Sequence, residues 1–329
     1  MRKLTAGGIR FARRIFAFAT SWTRIRGYAD RAQLHWRFRR AVRRARPIVL
    51  SQGGDIQLHL LFGHRTVHEA VATIQSLYRF TPAWPVVLHD DGTLTAKDRT
   101  LVTSLLVGVR LIDRRRSDEE VIAHLEKAGL ARLADFRRNV VFALKLLDVP
   151  FYAAGSRLLM MDTDVLFYEK PVELLAALYA SDDEWRDRYS EDFSSSYAWD
   201  FDAIREYTGL DILPRVNVGL VALRRPRLWW ERYERWLGIQ KPFRSKHHLE
   251  QTLYALEFTE DGARALAPEY DVMFRASYVG DYAKWIRSAQ GGKNVISQHY
   301  CGGPAQRRHY YRHYLQRVAP SYGTQSAST

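Results

Sequence analysis

Two carboxylates separated by one residue, Asp162 and Asp164, are the strongest chemical feature of the sequence. They directly follow a run of large apolar residues, 158–161, and apolar residues resume at Val165. A continuous apolar run of this kind is typical of a strand that is buried on both faces in a parallel sheet. Because residues two apart in an extended chain point to the same side, both carboxylates can converge on one point. Leaving them unpaired would be costly, so we expect a hard divalent cation, Mn²⁺ or Mg²⁺, to neutralise them.

Other uses of an Asp-x-Asp sequence have to be weighed against a metal site. Aspartates at strand ends also cap helices and close turns. A phosphohydrolase of the haloacid-dehalogenase type places Asp-x-Asp after an apolar strand as well, with an aspartyl nucleophile. That class has Thr or Val two residues past the second Asp, whereas Leu166 stands here, and it has the motif early in its domain. A non-catalytic adaptor, a sheet domain displayed by a membrane-binding or nucleic-acid-binding arm, is the remaining alternative.

The net charge of +14 is concentrated in one segment. Residues 1–46 hold thirteen Arg and one Lys against a single acid, Asp30, so the rest of the chain is nearly neutral. Pro47 ends this segment. We therefore interpret residues 1–46 as a basic amphipathic arm, residues 47–312 as the globular domain and residues 313–329 as a C-terminal tail.

The arm does not have the pattern of a membrane span or of a cleavable signal. Its longest uncharged stretch, residues 15–23, is far shorter than the roughly 20 residues needed to cross a bilayer, and arginines follow it closely. A basic amphipathic helix on an anionic membrane surface fits better. The aromatic residues that favour this interface are Phe16, Phe18, Trp22 and Trp36. A solvated arm and binding to a partner protein are alternatives, and nucleic acid is the less favoured partner.

The composition of the whole chain is that of a folded protein in a reducing compartment. Hydrophobic residues make up 47% of the sequence and aromatic residues 13%, which excludes a disordered chain. The single cysteine, Cys301, rules out an internal disulfide. We expect a cytoplasmic protein that is peripheral on the inner face of the membrane if its arm binds lipid.

Strands and helices alternate in the sequence from residue 56 onward. The predicted strands are residues 56–62, 84–89 and 109–112, and the predicted helices are residues 66–80, 95–107 and 136–147. Ser117 with Glu120 has the spacing of a capping box that begins a further helix. The alternation predicts an α/β fold with a mostly parallel sheet and crossover helices.

Five motifs in this order resemble those of GT-A fold nucleotide-sugar glycosyltransferases, most closely the glycogenin and lipopolysaccharide-galactosyltransferase type. They are His89-Asp90-Asp91-Gly92, Asp162-Thr163-Asp164, Asn217-Val218-Gly219, Glu250-Gln251 and His299-Tyr300-Cys301-Gly302. The resemblance covers residues 56–310. It departs from the family at Glu250, where Asp is usual, and in lacking Lys-Pro-Trp after the last motif, where Arg307 and Arg308 are the nearest cations.

The resemblance implies a Rossmann-like GT-A sheet and a hexosyltransferase. Such an enzyme moves a sugar from a nucleotide-diphosphate sugar to a glycan, a lipid-linked or another acceptor, with Mn²⁺ or Mg²⁺ as cofactor. The implied metal ligands are Asp162, Asp164 and His299. The implied donor-binding residues are Lys145, Arg138, Asp90, Asp91, Asp162, Asp164, Gly219 and Gln251, and the implied catalytic residues are Glu250 and Asn217.

Each of these residues also has a purely structural interpretation, which the sequence leaves open. His299 could be a buried, hydrogen-bonded histidine, and Lys145 could be solvated. Asp90 and Asp91 form a turn sequence with the glycine that follows. Asn217 could be a strand amide whose hydrogen bonds are made by the backbone.

Overall fold

The predicted strand at residues 56–62 and the apolar run at residues 158–161 become neighbouring strands in the middle of a sheet. A computed structural model describes residues 30–224, 229–241, 243–272, 295–301 and 304–323. The strands are β1 Ile48–Val49, β2 Ile56–Phe62, β3 Val86–Asp90, β4 Leu106–Val107, β5 Arg110–Ile112, β6 Arg157–Met161, β7 Val165–Phe167, β8 Arg188–Glu191, β9 Val216–Arg224, β10 Arg264–Ala265, β11 Tyr270–Val272 and β12 Ser297–His299. The helices are α1 over residues 30–44, α2 Val67–Tyr78, α3 Ala96–Leu105, α4 Arg114–Lys127, α5 Ala131–Asn139, α6 Ala143–Tyr152, α7 Val172–Leu178, α8 Phe201–Thr208, α9 Trp230–Trp236, α10 Leu249–Asp261 and α11 Pro304–His313.

The main sheet has seven strands in the order β10-β8-β9-β6-β2-β3-β5. Strands β6, β2, β3 and β5 are parallel to one another, and β9 runs antiparallel to both β6 and β8. The predicted α/β fold with a mostly parallel sheet is therefore confirmed. Strand β2 has the bounds that the sequence predicted.

Helices cover both faces of this sheet, as the unbroken apolar run in β6 requires. Leu158 and Met160 face a core that α4, α5, α6 and α10 complete. Leu159 and Met161 face a second core on the opposite side, built with α1, α2 and α3. Successive side chains of β6 thus enter different cores, so a one-residue shift of its register would move every side chain into the opposite core.

The chain leaves the main sheet directly after β6, and this change of sheet positions the two aspartates. Strand β7 belongs to a three-stranded sheet with the order β11-β12-β7, in which His299 pairs with Val165. The spacing of Asp162 and Asp164 predicted that both lie in an extended strand. In the structure they lie in the turn between two sheets. The backbone holds this turn: Asp162 N donates to Gly219 O at 2.8 Å and Tyr300 N donates to Asp164 O at 2.9 Å.

The single helix predicted over residues 136–147 is wrong, because the structure has two helices there. Helix α5 ends at Asn139, and Val140 is extended, with φ −128° and ψ 114°. Helix α6 then begins at Ala143 and continues through Pro150. The break places Arg138 and Lys145 on different helices that point to different surroundings.

The start of α4 also differs from the sequence prediction. Asp113, and not Ser117, caps this helix, since its Oδ1 accepts hydrogen bonds from the backbone N–H groups of Arg115 and Arg116. Ser117 is buried within the first turns of the helix. Because α4 already begins at Arg114, the backbone N–H groups that Ser117 would have capped lie inside the helix and have intrahelical partners.

The described part of the predicted arm packs on the rest of the fold. Phe38 and Val42 of α1 are fully buried, and the Phe38 ring stacks on Tyr311 of α11 with 4.5 Å between the ring centroids. Tyr314, in the predicted tail, is also fully buried. Residues 1–29 lie outside the described residues, and the division of the chain at 46 and 312 stays a prediction. Within the described ranges, no helix combines the length and the apolar character needed to cross a bilayer.

A buried histidine pair between β2 and β3 makes a specific prediction about stability and pH. His59 Nδ1 lies 3.1 Å from His89 Nε2, and both rings are buried. Burial, followed by the charge of Arg110, lowers the pKa of His59 from 6.5 to about 3, and burial lowers that of His89 well below its ordinary value. Below pH 6.5 the unfolded chain binds protons that the folded chain excludes. The free energy of unfolding should therefore decrease as the pH is lowered below about 6.5.

The variant His59→Gln keeps a polar partner for His89 and removes one of these protons. Its free energy of unfolding should fall less steeply than that of the original chain, by about 1.4 kcal/mol per pH unit between the two pKa values. Urea unfolding at a series of pH values measures this slope. Equal slopes for the two chains would contradict the assignment of a neutral, buried His59.

Candidate functional site

A cavity of about 460 Å³ opens where β2, β3 and β6 end. Ligands of open α/β sheets bind at this edge. The residues that line it include Gly63, Thr66, Asp91, Phe142, Lys145, Asp162, Asp164, Asp192, Asn217, Gly219, Glu250, Gln251, His299, Cys301 and Arg307. Most of the site residues predicted from the sequence therefore face a single space, although they come from positions far apart in the chain.

Asp162, Asp164 and His299 bring three potential metal ligands together. Their donor atoms all lie within 4.8 Å of one another. His299 Nε2 is 3.1 Å from an oxygen of Asp164 and 3.6 Å from an oxygen of Asp162. Two carboxylate oxygens and one imidazole nitrogen suit Mn²⁺ and leave coordination positions open for other oxygen ligands. The donor set fits the divalent cation predicted from the sequence.

The electrostatics of these three residues reflect their closeness. Burial would raise the pKa of Asp164, but the His299 imidazole outweighs it and the pKa is lowered. Burial would likewise lower the pKa of His299, but the Asp164 carboxylate outweighs it and the pKa is raised. Each group thus favours the charged form of the other. A bound cation would take the place of the proton on His299 Nε2 and balance the carboxylates instead.

Strand β9 supports the back of the His299 ring. Asn217 Oδ1 lies 3.0 Å from His299 Nδ1 and also accepts the Gly219 N–H at 2.9 Å. A Cβ on Gly219 would lie 2.1 Å from Cε1 of His299, so only glycine leaves room for the ring at this position. Asn217, predicted to be catalytic, therefore contacts His299, the histidine of the candidate metal site, in this structure.

Lys145 and Glu250 form a buried ion pair beside the aspartates. Lys145 Nζ lies 2.9 Å from Asp162 and 3.1 Å from Glu250, and the lysine also donates to Val218 O at 3.3 Å. Burial would lower the pKa of Lys145, but the two carboxylates outweigh it and raise it. Burial, opposed by Lys145, raises the pKa of Glu250 to about 7. Lys145 thus compensates the charge of both Asp162 and Glu250.

Two of the predicted donor-binding residues are not brought to the cavity. The Arg138 guanidinium pairs with Glu126 on the protein surface. Asp90 is buried in an ion pair with Arg99, at 2.5 Å, and accepts the Gly92 N–H, as its turn interpretation requires. Asp91 does line the cavity, where its Oδ1 accepts hydrogen bonds from Thr93.

Asp192 is a cavity residue that the sequence did not reveal. Its Oδ2 accepts from Asn217 Nδ2 at 3.2 Å and from Gln251 Nε2 at 3.4 Å, and its Oδ1 accepts the Phe193 N–H at 2.7 Å. It follows β8 in a polar stretch with no apolar run or spacing to mark it. The pairing of β8 with β9 brings it to Asn217, and pairing partners are not readable from one sequence.

A second group of acids lies away from this cavity. Donor oxygens of Asp187, Glu257 and Asp261 are also within 4.8 Å of one another. Asp187 Oδ1 accepts hydrogen bonds from Trp185 Nε1 and from the Arg224 N–H, and Glu257 accepts one from the Tyr233 hydroxyl. These carboxylates have protein donors of their own, and none of the sequence motifs includes them.

Comparison with solved structures identifies the fold. No protein-family model matches the chain, and no curated protein matches it in sequence. The apo structure of the bifunctional glycosyltransferase WbbM matches with a TM-score of 0.51 and 14% sequence identity, over 80% of this chain and 49% of that one. The chain has a GT-A glycosyltransferase fold.

Two further glycosyltransferase structures were found with lower scores. The galactosyltransferase LgtC, in complex with donor and acceptor sugar analogues, matches with a TM-score of 0.48 and 15% identity, over 82% of this chain and 98% of that one. Mouse xyloside xylosyltransferase 1 in its apo form matches with a TM-score of 0.47 and 14% identity, over 77% and 98%. The chain spans about half the length of WbbM. At 14% sequence identity, the match confirms the GT-A fold that the ordered motifs predicted, and the fold alone.

Proposed function

We propose that the chain is a metal-dependent hexosyltransferase that moves a sugar from a nucleotide-diphosphate sugar to a glycan, lipid-linked or other acceptor. The observation that carries the proposal is the convergence of Asp162, Asp164 and His299 in the cavity of a glycosyltransferase fold. Asp187, Glu257 and Asp261 lack both an imidazole and a place in this cavity.

Asp162, Asp164 and His299 would hold Mn²⁺ or Mg²⁺. When bound, such an ion acts as a Lewis acid that stabilises the negative charge developing on the leaving diphosphate. Positively charged side chains of the protein can stabilise the leaving diphosphate in the same way. Arg307 lines the cavity and is exposed, so its guanidinium can meet phosphate oxygens.

Lys145, which the family resemblance implied to be a donor-binding residue, is better suited to a structural role in the site. Its ammonium group is buried and already has three oxygen partners, from Asp162, Glu250 and Val218. It therefore holds the Asp162 side chain in place and compensates the charge of Glu250. The three N–H groups of the ammonium already have these partners, so Lys145 could contact the nucleotide sugar only by giving up one of them.

Glu250, Gln251 and Asn217 form a polar wall of the cavity. The Glu250 carboxyl, with a pKa of about 7, is suited to exchange a proton with a sugar hydroxyl near neutral pH. The Gln251 amide is oriented by Asp192 and by the Ser196 carbonyl, at 3.0 Å. We propose that this wall binds the transferred sugar or the acceptor hydroxyl.

Calorimetric titration with a panel of nucleotide-diphosphate sugars tests the proposed function. At least one of them should bind with Mn²⁺ present, and binding should weaken when the ion is chelated. Transfer or hydrolysis of that same donor then identifies the reaction. A chain that binds no member of the panel, with or without Mn²⁺, would contradict the proposal. Tight vesicle or RNA binding without donor affinity would favour the adaptor alternative.

We also propose that the N-terminal arm holds the enzyme at an anionic membrane surface on the cytoplasmic side, where a lipid-linked acceptor can be met. Trp36 of α1 is 58% exposed, and the Arg40 guanidinium lies over its ring, 5.1 Å from the centroid. Arg37 and Arg44 are exposed on the same helix. An exposed indole among arginines is the composition of a membrane-interface helix.

Replacing Arg40 by Glu in the full chain should weaken binding to anionic vesicles about 30-fold, because the charge near the surface changes by two and each charge contributes about 1 kcal/mol. Cosedimentation with anionic and with neutral vesicles measures this effect. Arg115→Glu, at an exposed position on α4, makes the same charge change outside the arm; it is the matched control and should leave binding unchanged. Equal binding of the original chain to neutral and anionic vesicles would overturn the proposed membrane role.

A further inference from the structure

Asn217 lies between a buried acid and the histidine of the candidate metal site. Its amide nitrogen donates to Asp192 Oδ2 at 3.2 Å, and its Oδ1 lies 3.0 Å from His299 Nδ1. All three side chains are more than nine-tenths buried. Asp192, Asn217 and His299 thus form a chain of hydrogen bonds that runs from the wall of the cavity to the imidazole.

The direction of each hydrogen bond in this chain is fixed by chemistry. Asp192 receives three N–H donors, from Phe193, Asn217 and Gln251, so it acts as an ionised, accepting carboxylate. The Gly219 N–H can only donate, and it points at Asn217 Oδ1. The Asn217 amide therefore has one possible orientation, with its NH₂ group toward Asp192 and its oxygen toward His299.

An oxygen facing His299 Nδ1 requires that this nitrogen carries a proton. The lone pair of a neutral imidazole then lies on Nε2, which is the nitrogen that faces Asp162 and Asp164. In the opposite tautomer, Nε2 would carry the proton and could not coordinate a cation. The hydrogen bond made by the other nitrogen decides which nitrogen of a histidine can bind a metal.

We propose that Asp192 and Asn217 are positioning residues that select the metal-binding tautomer of His299, and that Gly219 provides the space in which the ring is held. The inference rests on the proposed function, since it assigns a device that prepares the site for its cation. Asp192 also orients Gln251 in the cavity wall. One carboxylate thereby aligns the metal-ligand histidine and an amide of the proposed sugar-binding wall.

The variant Asp192→Asn tests the polarity of the chain. An amide at this position can donate to Asn217 Oδ1, so only the Gly219 N–H would still oppose an Asn217 amide that has turned its NH₂ group toward His299. Mn²⁺ affinity of the full-length chain, measured by electron paramagnetic resonance without any donor sugar, should fall about 10- to 100-fold. The thermal unfolding midpoint of the metal-free chain reports whether the fold itself is intact.

A double variant, D192N/N217D, separates tautomer selection from a merely structural role. It restores the polarity, because the amide then donates to a carboxylate at 217, which in turn accepts from His299 Nδ1. Mn²⁺ affinity should recover to within about threefold of the original chain, a gain that loss of packing would not produce. No recovery, or undiminished affinity in the single variant, would overturn the inference.

The tautomer can also be read without metal. Long-range ¹H–¹⁵N correlation spectra at alkaline pH distinguish the two neutral tautomers, and the His299→Gln variant assigns the signal. We expect the proton on Nδ1 in the original chain and on Nε2 in Asp192→Asn. A proton on Nε2 in the original chain would overturn the inference. Absence of Mn²⁺ binding by the original chain, with the proton on Nδ1, would instead contradict the proposed function alone.

Discussion

Replacing Asp164 with asparagine should lower donor hydrolysis and sugar transfer about a thousandfold. The change removes one of three side chains that converge on the proposed cation, and an ion bridging the leaving phosphates is worth several kcal/mol in the transition state. It also leaves His299 without its nearest charged partner, at 3.1 Å. Release of the nucleotide diphosphate from the donor found by calorimetry measures the rate.

The second Asp-x-Asp sequence provides the control for this variant. Asp202 is exposed on α8 and lines no part of the cavity, so Asp202→Asn makes the same chemical change away from the site. This control should retain full activity. If Asp164→Asn were as active as Asp202→Asn, and chelation had no effect on either, the metal would have no role in the reaction.

Replacing Gly219 with alanine should weaken Mn²⁺ binding about 100-fold. The new methyl group would lie 2.1 Å from Cε1 and 2.4 Å from Nδ1 of His299, far inside van der Waals contact. Strand β9 is fixed in the centre of the main sheet and cannot yield, so the imidazole has to leave its position. The hydrogen bond to Asn217 is lost with it, and losses of this kind cost 10- to 100-fold in metal affinity.

Gly53→Ala is the matched control, because a Cβ at that position meets nothing within 4 Å. Calorimetric titration with Mn²⁺ in the absence of donor compares the two variants directly. The control should bind as the original chain does. Unchanged Mn²⁺ affinity in Gly219→Ala would show that the ion does not depend on the position of His299.

The sheet could be predicted from the sequence because its signals are local. A run such as residues 158–161 has no polar face and fits only a strand covered on both sides, and the apolar residues Ile56 and Phe62 mark the two ends of β2. The helix break at Val140 was missed for the opposite reason. The apolar spacing continues across residues 136–147, and nothing local marks the extended residue that separates α5 from α6.

The candidate site could be predicted only where motifs carry it. The aspartate pair and His299 were joined by their order in a known pattern, although 135 residues separate Asp164 from His299. Arg138 and Asp90 have the charge and the sequence position expected of donor-binding residues. In the structure, each instead forms an ion pair with a side chain of opposite charge. Asp192 has no motif and reaches Asn217 through an antiparallel strand pair, so its contact exists only in three dimensions.

Anomalous diffraction from crystals of the full-length chain grown with Mn²⁺ would locate the bound ion. We predict a manganese peak within bonding distance of Asp162, Asp164 and His299 Nε2, which disappears in Asp164→Asn. A peak at Asp187, Glu257 and Asp261 alone, with none at Asp162, Asp164 and His299, would contradict the proposed metal site.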